Sequence, residues 1–534
     1  MEIAYLEGLP PLTEAIAVAT TTGHAVMQQM KRESAAHHAF QSQLDVMAQD
    51  SGVGQEVIGM VLARTSLRAP NETSRWHLER GSDARPVDRR VLRQATVSKA
   101  VRALTKRGFL EEGERQLKSE SEDGRRARSL ESLRFGRGVV IAGVHVAQRG
   151  NVPKSITAVL VGLDSTRGLA VESRELATED TRGWKGVAHA IHDLVSSLKV
   201  QLDAETHERL AASVDAADAD FDPLLRAQRE ADLAAFKPFE LFGVGVEVGA
   251  PVFDGAIASI ARSVGATDVD YHGFEEELQD LFIDEQGNIT PVVIENDVNA
   301  LAVLAIHEEH YAVPDLVVVG VFDEGVGAGL VLDGRLRRGG SGTAMEIGHL
   351  QVVHVPGTPG AVGFQDQAPP PEGLPRTFKD PCECGRDGHV DTRATSSRIA
   401  GELGVDFDDA VDLDTEQAHE TFRSAGFALG RAIAHVSNIV NPTRIIVYLP
   451  ARLARPKDGA AAAEYCPAAT AEICAAFGNA GRTQAEFLTY RPLAKEDTAP
   501  LCARAAAVCL LQGFIEHALR VDGCSFSTNR KADA

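Results

Sequence analysis

The chain has 534 residues, with 54 Lys and Arg against 76 Asp and Glu and a formal net charge of −22. That length exceeds the usual limit of one hydrophobic core, so two to four domains are expected, and 44% hydrophobic with 24% charged residues is ordinary for a soluble globular protein. No run approaches the ~18 consecutive apolar residues of a membrane helix, the N-terminal MEIAYLEGLPPLTEAIAVATTTGHAV has no basic stretch ahead of its apolar part, and seven cysteines argue against a disulfide scaffold, which points to a cytoplasmic protein with no membrane partner.

Residues 1–70 read as a helical N-terminal extension without a motif. AVMQQMKRESAAHHAFQSQLDVMAQ holds helix formers and few breakers. Charge then changes sign. From Asn71 to Phe135 there are 16 Lys and Arg against 11 Asp and Glu, a surplus of about five, which leaves about −27 for the rest. Such asymmetry suggests a module that meets polyanions. Within it, QATVSKAVRALTKRGFLEEG carries Val97, Val101 and Leu104 at helical spacing, with Thr96 as a cap and Gly108 as a stop. A strand, a polar stretch and GRRARSLESLRF follow. The order is recognition helix, strand, basic wing, strand, so residues 71–137 are expected to form a winged helix-turn-helix. Thr96, Ser98, Lys99 and Arg102 would stand at the base edges of operator DNA. Arg125, Arg126 and Arg128 would contact phosphates. An amphipathic surface helix beside a basic loop would give the same helix; the strands and the arginine-rich wing favour DNA.

From 138 the chain becomes α/β. GVVIAGVHV and SITAVLVGLD read as paired strands, and TRGWKGVAHAIHDLVSSLKVQL as a helix. FELFGVGVEVG, PVVIENDVNALAV and PDLVVVGVFDEGVGAGLVLDG repeat a strand followed by a special loop. FRSAGFALGRAIAHVSNIVNPTRIIVYLP is a long helix ending at Asn441-Pro442, then a buried strand, and APLCARAAAVCLLQGFIEHAL is a late helix. Residues 356–379 look like an irregular insertion and 526–534 like a tail.

Four constellations carry chemistry. Glu295, Asn296, Asp297 and Asn299 follow an apolar strand, where α/β sheets place ligands; an Asx-rich turn and helix cap would read the same way. Gly325, Gly327 and Gly329 let backbone approach a phosphate or another strand. Glu346 and His349 lie three apart in GGSGTAMEIGHL. PCECGRDGHVD packs Cys382, Cys384 and His389 into eight residues, with Gly385 and Gly388 at the reversals. Zinc takes Cys and His in closed tetrahedral sites, and His349 or His354 could complete a structural Zn2+ site.

IENDVNALA, GVGAGLVLDGRLRRGGSGTAMEIGH, CECGRDGHVD and NIVNPTRIIV, in this order, resemble the ROK family of repressors, open reading frames and sugar kinases, over roughly residues 90 to 520. The resemblance implies a two-lobed, actin-like (sugar kinase/ribonuclease H-like) α/β fold behind the winged helix, with lobe 1 at 138–300 and lobe 2, carrying the zinc knuckle and helices that return to lobe 1, at 301–525. It implies that Asn296 and Asp297 hold sugar hydroxyls, with Asp297 where the kinases keep their base. Glu346, His349 and Asp391 would complete the effector site, and His349, Cys382, Cys384 and His389 the zinc site. Asp391 replaces the family's usual Glu, His389 its third cysteine, and the interval from His349 to Cys382 is longer than usual.

The departure that decides between enzyme and sensor lies on the first hairpin. The kinases read Asp-x-Gly-Gly-Thr there; this chain has His145, Ala147, Gln148 and Arg149 at those positions. Its second loop reads Asp323-Glu324-Gly325 in place of Gly-Thr-Gly, and two carboxylates repel phosphates. The expectation is a non-catalytic repressor of carbohydrate genes that binds operator DNA and a sugar or sugar-derived effector as a homodimer or homotetramer. The alternative is an ATP-dependent hexose or N-acetylhexosamine kinase with a DNA-binding extension.

Overall fold

Residues ahead of the first large sheet bury their apolar side chains in one cluster with that sheet and the last helix. In the computed structural model, the residues described are 39–49, 52–66, 73–74, 93–116, 130–136, 138–149, 152–163, 168–177, 184–219, 223–253, 256–257, 273–285, 287–309, 313–352, 388–477 and 487–520. Helix α1 (residues 39–49) and α2 (Gln55–Ser66) precede strand β1 (Thr73–Ser74), α3 (Gln94–Lys106), β2 (Leu110–Gln116) and β3 (Leu130–Phe135). The three strands form an antiparallel sheet in the order β1-β3-β2. Helix α3 buries Val97, Ala100, Val101, Ala103 and Leu104, while Lys99 and Arg102 are exposed.

Thr96 does not cap α3. The helix begins two residues earlier, with extended Arg93 at the cap and no side-chain cap bond, and the Thr96 N–H donates to the Arg93 carbonyl at 2.9 Å. Nothing in Gln94-Ala95 opposes helical backbone, so the helix runs back to Arg93. The C-terminus follows the sequence. Gly108 is left-handed at φ +78°, its N–H donates to Thr105 and that of Phe109 to Leu104, a Schellman closure only glycine makes without strain.

Two five-stranded sheets follow, built in the same order. The first is the meander β4 (Val139–Arg149), β5 (Val152–Gly162) and β6 (Gly168–Glu175). After the helices α4 (Trp184–Ala219) and α5 (Pro223–Ala235), the strands β7 (Glu240–Val248) and β8 (Val292–Asn296) add parallel to β4. Helix α6 (Asp297–Glu308) leaves β8 directly. The second sheet repeats the plan: the meander β9 (Leu316–Val321), β10 (Val326–Leu332) and β11 (Arg335–Leu336), then the long helix α7 (Glu416–Val440), β12 (Arg444–Pro450), helix α8 (Tyr465–Phe477) and β13 (Leu488–Leu493). The strand orders β8-β7-β4-β5-β6 and β13-β12-β9-β10-β11 are identical in topology. This is a two-lobed α/β architecture. The unbroken apolar run of β9, whose six residues are all buried, reflects a strand covered on both faces.

The last helix, α9 (Lys495–Arg520), ties these parts together. By length and a mean hydropathy of 1.5 over Lys495–His517 it could cross a membrane, a property the run-length reading of the sequence passed over; it is largely buried inside the protein instead. Its backbone lies directly on β4 and β7. A Cβ on Gly143 or Gly245 would collide with the carbonyls of Ala503 and Ala506. Further along, Phe514 meets Phe40 of α1 edge-on with ring centres 5.6 Å apart, and one continuous apolar cluster joins α1, α2, α3, β4 and α9. The N-terminal helices therefore pack on the first lobe, and Gln43 also donates to the Phe242 carbonyl at 3.0 Å.

Candidate functional site

The junction of β8 and α6 is organised by its own side chains. Asn296 is the N-cap of α6, accepting from the N–H groups of Val298 and Asn299 at 3.1 Å, while its amide donates to Asp297 at 2.9 Å. Beneath it Glu295, 1% exposed, accepts from the Asn296 N–H at 3.0 Å and the Asn299 amide at 3.1 Å. Arg338 neutralises Glu295 at 2.6 Å. Asp297 is thereby held at the helix start with one oxygen on the Val298 N–H. Desolvation, then the charge of Glu247, pushes its carboxyl up to about 7, against the Val298 hydrogen bond and the His145 charge.

The first hairpin meets this junction. His145 on β4 is the register partner of Glu247 on β7, and the two side chains form an ion pair. Burial opposes the charged imidazole, but Glu247, with Asp297 behind it, outweighs burial and holds the His145 pKa above its ordinary value. Gln148 closes the same space. A Cβ on Gly249 would lie 3.4 Å from the Gln148 side-chain oxygen and 3.5 Å from an Asp297 oxygen.

On the second lobe, Phe322 and Gly325 close a tight turn that presents Asp323 and Glu324 to solvent. Gly327 and Gly329 lie on β10 where α6 packs against it. A Cβ on Gly329 would lie 2.7 Å from the Ala302 Cβ, so these glycines let α6 rest on β10. Glu346 follows Met345, whose left-handed φ of +70° costs about 1–2 kcal/mol in a residue with a Cβ. The Glu346 pKa is raised by desolvation, against the pull of His349 and with the push of Asp391, and its own charge acts on Asp297. Glu346, His349, Asp391 and Asp297 thus share one neighbourhood. Asp391 also accepts from the Val326 N–H at 2.7 Å.

The His349 and His389 rings stand nearly perpendicular with centres 5.4 Å apart. Two imidazoles on one tetrahedral zinc, with bonds of ~2.0–2.1 Å, have ring centres roughly 5 Å apart. The spacing suits a shared ion. Cys382 and Cys384 lie outside the described residues, as do His354 and the wing arginines Arg125, Arg126 and Arg128. On α3, Thr96 and Ser98 are partly exposed. No motif in the sequence singles out Glu247, Arg338 or Cys502 as a site residue, although Glu247, a single charge inside the apolar run FGVGVEVG, is a visible signal.

Comparison with known proteins agrees with this architecture. The chain is 27% identical over 236 residues to a glucokinase of Halalkalibacterium halodurans, 25% over 226 residues to the xylose repressor of Bacillus spizizenii, and 27% over 185 residues to the DNA-binding transcriptional repressor Mlc of Escherichia coli. These alignments cover 38%, 39% and 31% of the chain, which spans 60%, 48% and 40% of the respective relatives. A solved ROK family transcriptional regulator, described as a homologue of Escherichia coli Mlc, superposes with a TM-score of 0.53 at 16% identity, over 87% of this chain and 99% of that one, and so shares the fold. Residues 237–448, from the strand that carries Glu247 to β12, match a ROK family domain.

Proposed function

We propose that the protein is a DNA-binding transcriptional regulator, a repressor of carbohydrate genes, whose ROK cleft holds a sugar or sugar derivative without phosphorylating it. One observation carries this reading: His145 and Gln148 occupy the hairpin where the kinases admit phosphates, His145 locked to Glu247 and Gln148 set beside Asp297. Asp323 and Glu324 line the second loop with negative charge. In this reading Asn296, Asp297, Glu346 and Asp391 bind the effector hydroxyls. A structural zinc held by His349, His389, Cys382 and Cys384 would fix the loop beside Glu346. Thr96, Ser98, Lys99 and Arg102 would meet operator bases and Arg125 and Arg126 its phosphates, in a cytoplasmic homodimer or homotetramer. Linkage between the sites is a difference in effector affinity between lobe arrangements. The packing of α9 against α6 at one end and α2 at the other supports a physical route for it.

One observation favours the second reading, a sugar kinase: burial pushes the Asp297 carboxyl up to about 7, where a general base works well. The test is ATP turnover by the full chain with a panel of hexoses and N-acetylhexosamines, alongside calorimetric sugar titration. The regulator reading expects sugar binding that Asp297→Asn weakens at least tenfold, and no turnover. Clear turnover lost in Asp297→Asn would establish the kinase instead.

A further inference from the structure

We propose that His145, Glu247 and Cys502 form a binding site for one divalent transition-metal ion of the Zn2+ or Co2+ class, where β4, β7 and α9 meet, made of other residues than the zinc set proposed above. The three residues come from three elements, β4, β7 and α9, and each offers one ligand atom. These atoms lie within 4.8 Å of one another. Backbone contacts fix their approach. Gly143 and Gly245 sit two residues before His145 and Glu247 on the paired strands, and their missing Cβ atoms admit the α9 carbonyls of Ala503 and Ala506, which brings Cys502 onto the same face.

The buried chemistry asks for a cation. Glu247 is fully buried, and its Oε2 has no hydrogen-bond partner among the described residues. Cys502 is 1% exposed. An ordinary ion pair with His145 accounts for one carboxylate oxygen and leaves the other oxygen and the thiol without a role. A divalent ion would take Oε2 or Oε1, the imidazole Nδ1 and the Cys502 sulfur as thiolate, releasing the thiol and imidazolium protons to water. Tetrahedral sites with bonds of ~2.0–2.3 Å have ligand–ligand edges of roughly 3.3–3.8 Å, so ligand atoms that all lie within 4.8 Å of one another need only small side-chain adjustments to close on one ion. Nitrogen, oxygen and sulfur donors together select borderline ions over Mg2+ or Ca2+, which take oxygen. Asp297 is near enough for its charge to act on both His145 and Cys502.

This site does not depend on the regulator reading. The full chain is stripped with chelator, loaded with Co2+ or Zn2+, freed of excess, and assayed for metal per chain by mass spectrometry. Cys502→Ser and His145→Gln should each hold one equivalent fewer than the unaltered protein. With Cys382→Ser and Cys384→Ser already in place, the Co2+ form should keep a thiolate-to-cobalt absorption band that adding Cys502→Ser removes. Unchanged metal content in both single variants, or no band in the knuckle-deficient protein, overturns the proposal. Should Cys502→Ser lose its cooperative thermal transition, His145→Gln at its partly exposed position decides by the same metal count.

Discussion

Replacing Arg338 with Met tests how the β8–α6 junction is held. Arg338 contacts the Glu295 carboxylate at 2.6 Å, and Glu295 in turn holds the Asn296 N–H and the Asn299 amide. Without the guanidinium, a carboxylate only 2% exposed is left charged inside the protein. Breaking a fully buried pair from one side costs about 3–5 kcal/mol. The Arg338 side chain is 43% exposed, so water shares its charge and the cost falls to about 2–3 kcal/mol. At ~2–4 °C per kcal/mol for a lobe of this size, Tm should drop by roughly 5–10 °C. The control is Glu295→Gln, whose amide oxygen still accepts both hydrogen bonds but carries no charge. Added to that variant, Arg338→Met should cost under about 1 kcal/mol. Thermal unfolding followed by circular dichroism completes the cycle. Equal costs in the two backgrounds would show that Arg338 contributes packing and no charge compensation.

Gly329→Ala places a Cβ 2.7 Å from Ala302 and 2.9 Å from the Val298 carbonyl, and should cost about 1–3 kcal/mol of stability, whereas Gly340→Ala, which meets nothing within 4 Å, should leave Tm unchanged. Lys99→Ala with Arg102→Ala should weaken operator binding while circular dichroism stays constant, because both side chains are exposed on α3; unaltered binding would remove α3 from the DNA interface. Arg125→Ala with Arg126→Ala should weaken binding to every sequence and lower the slope of log affinity against log salt by about two, read by fluorescence anisotropy. Under the proposed function, Cys382→Ser with Cys384→Ser should abolish sugar binding while DNA binding stays intact; the opposite outcome would contradict a zinc role beside Glu346.

The strands, the long helices and the Asn441 helix stop were legible because each is a local pattern: β9 as an unbroken apolar run, Asn441 as a left-handed residue before Pro442. The helix start at Asn296 and Asp297 was legible because a polar loop after an apolar strand is local too. What escaped was set by contacts across the fold. Arg338 lies 43 residues from Glu295, and Cys502 reaches His145 only because glycines on β4 and β7 admit α9. The role of Gly327 and Gly329 was likewise ambiguous, since the helix that needs their missing side chains lies a full element upstream. The Thr96 cap failed for a local reason: a good capping residue does not stop a helix from starting earlier when the preceding residues tolerate it.

That α9 closes the packing of the first lobe also bears on how the chain comes to be folded. During synthesis, Phe40, Phe109, Phe242 and the glycine-floored faces of β4 and β7 emerge long before Phe514 and Ala503 exist to cover them. For most of translation the nascent protein must carry bare apolar surface, a period in which aggregation competes with folding and chaperones have most to protect. A ribosome stalled ahead of residue 495 should present a protease-sensitive N-terminal half, and release of the last helix should render it resistant.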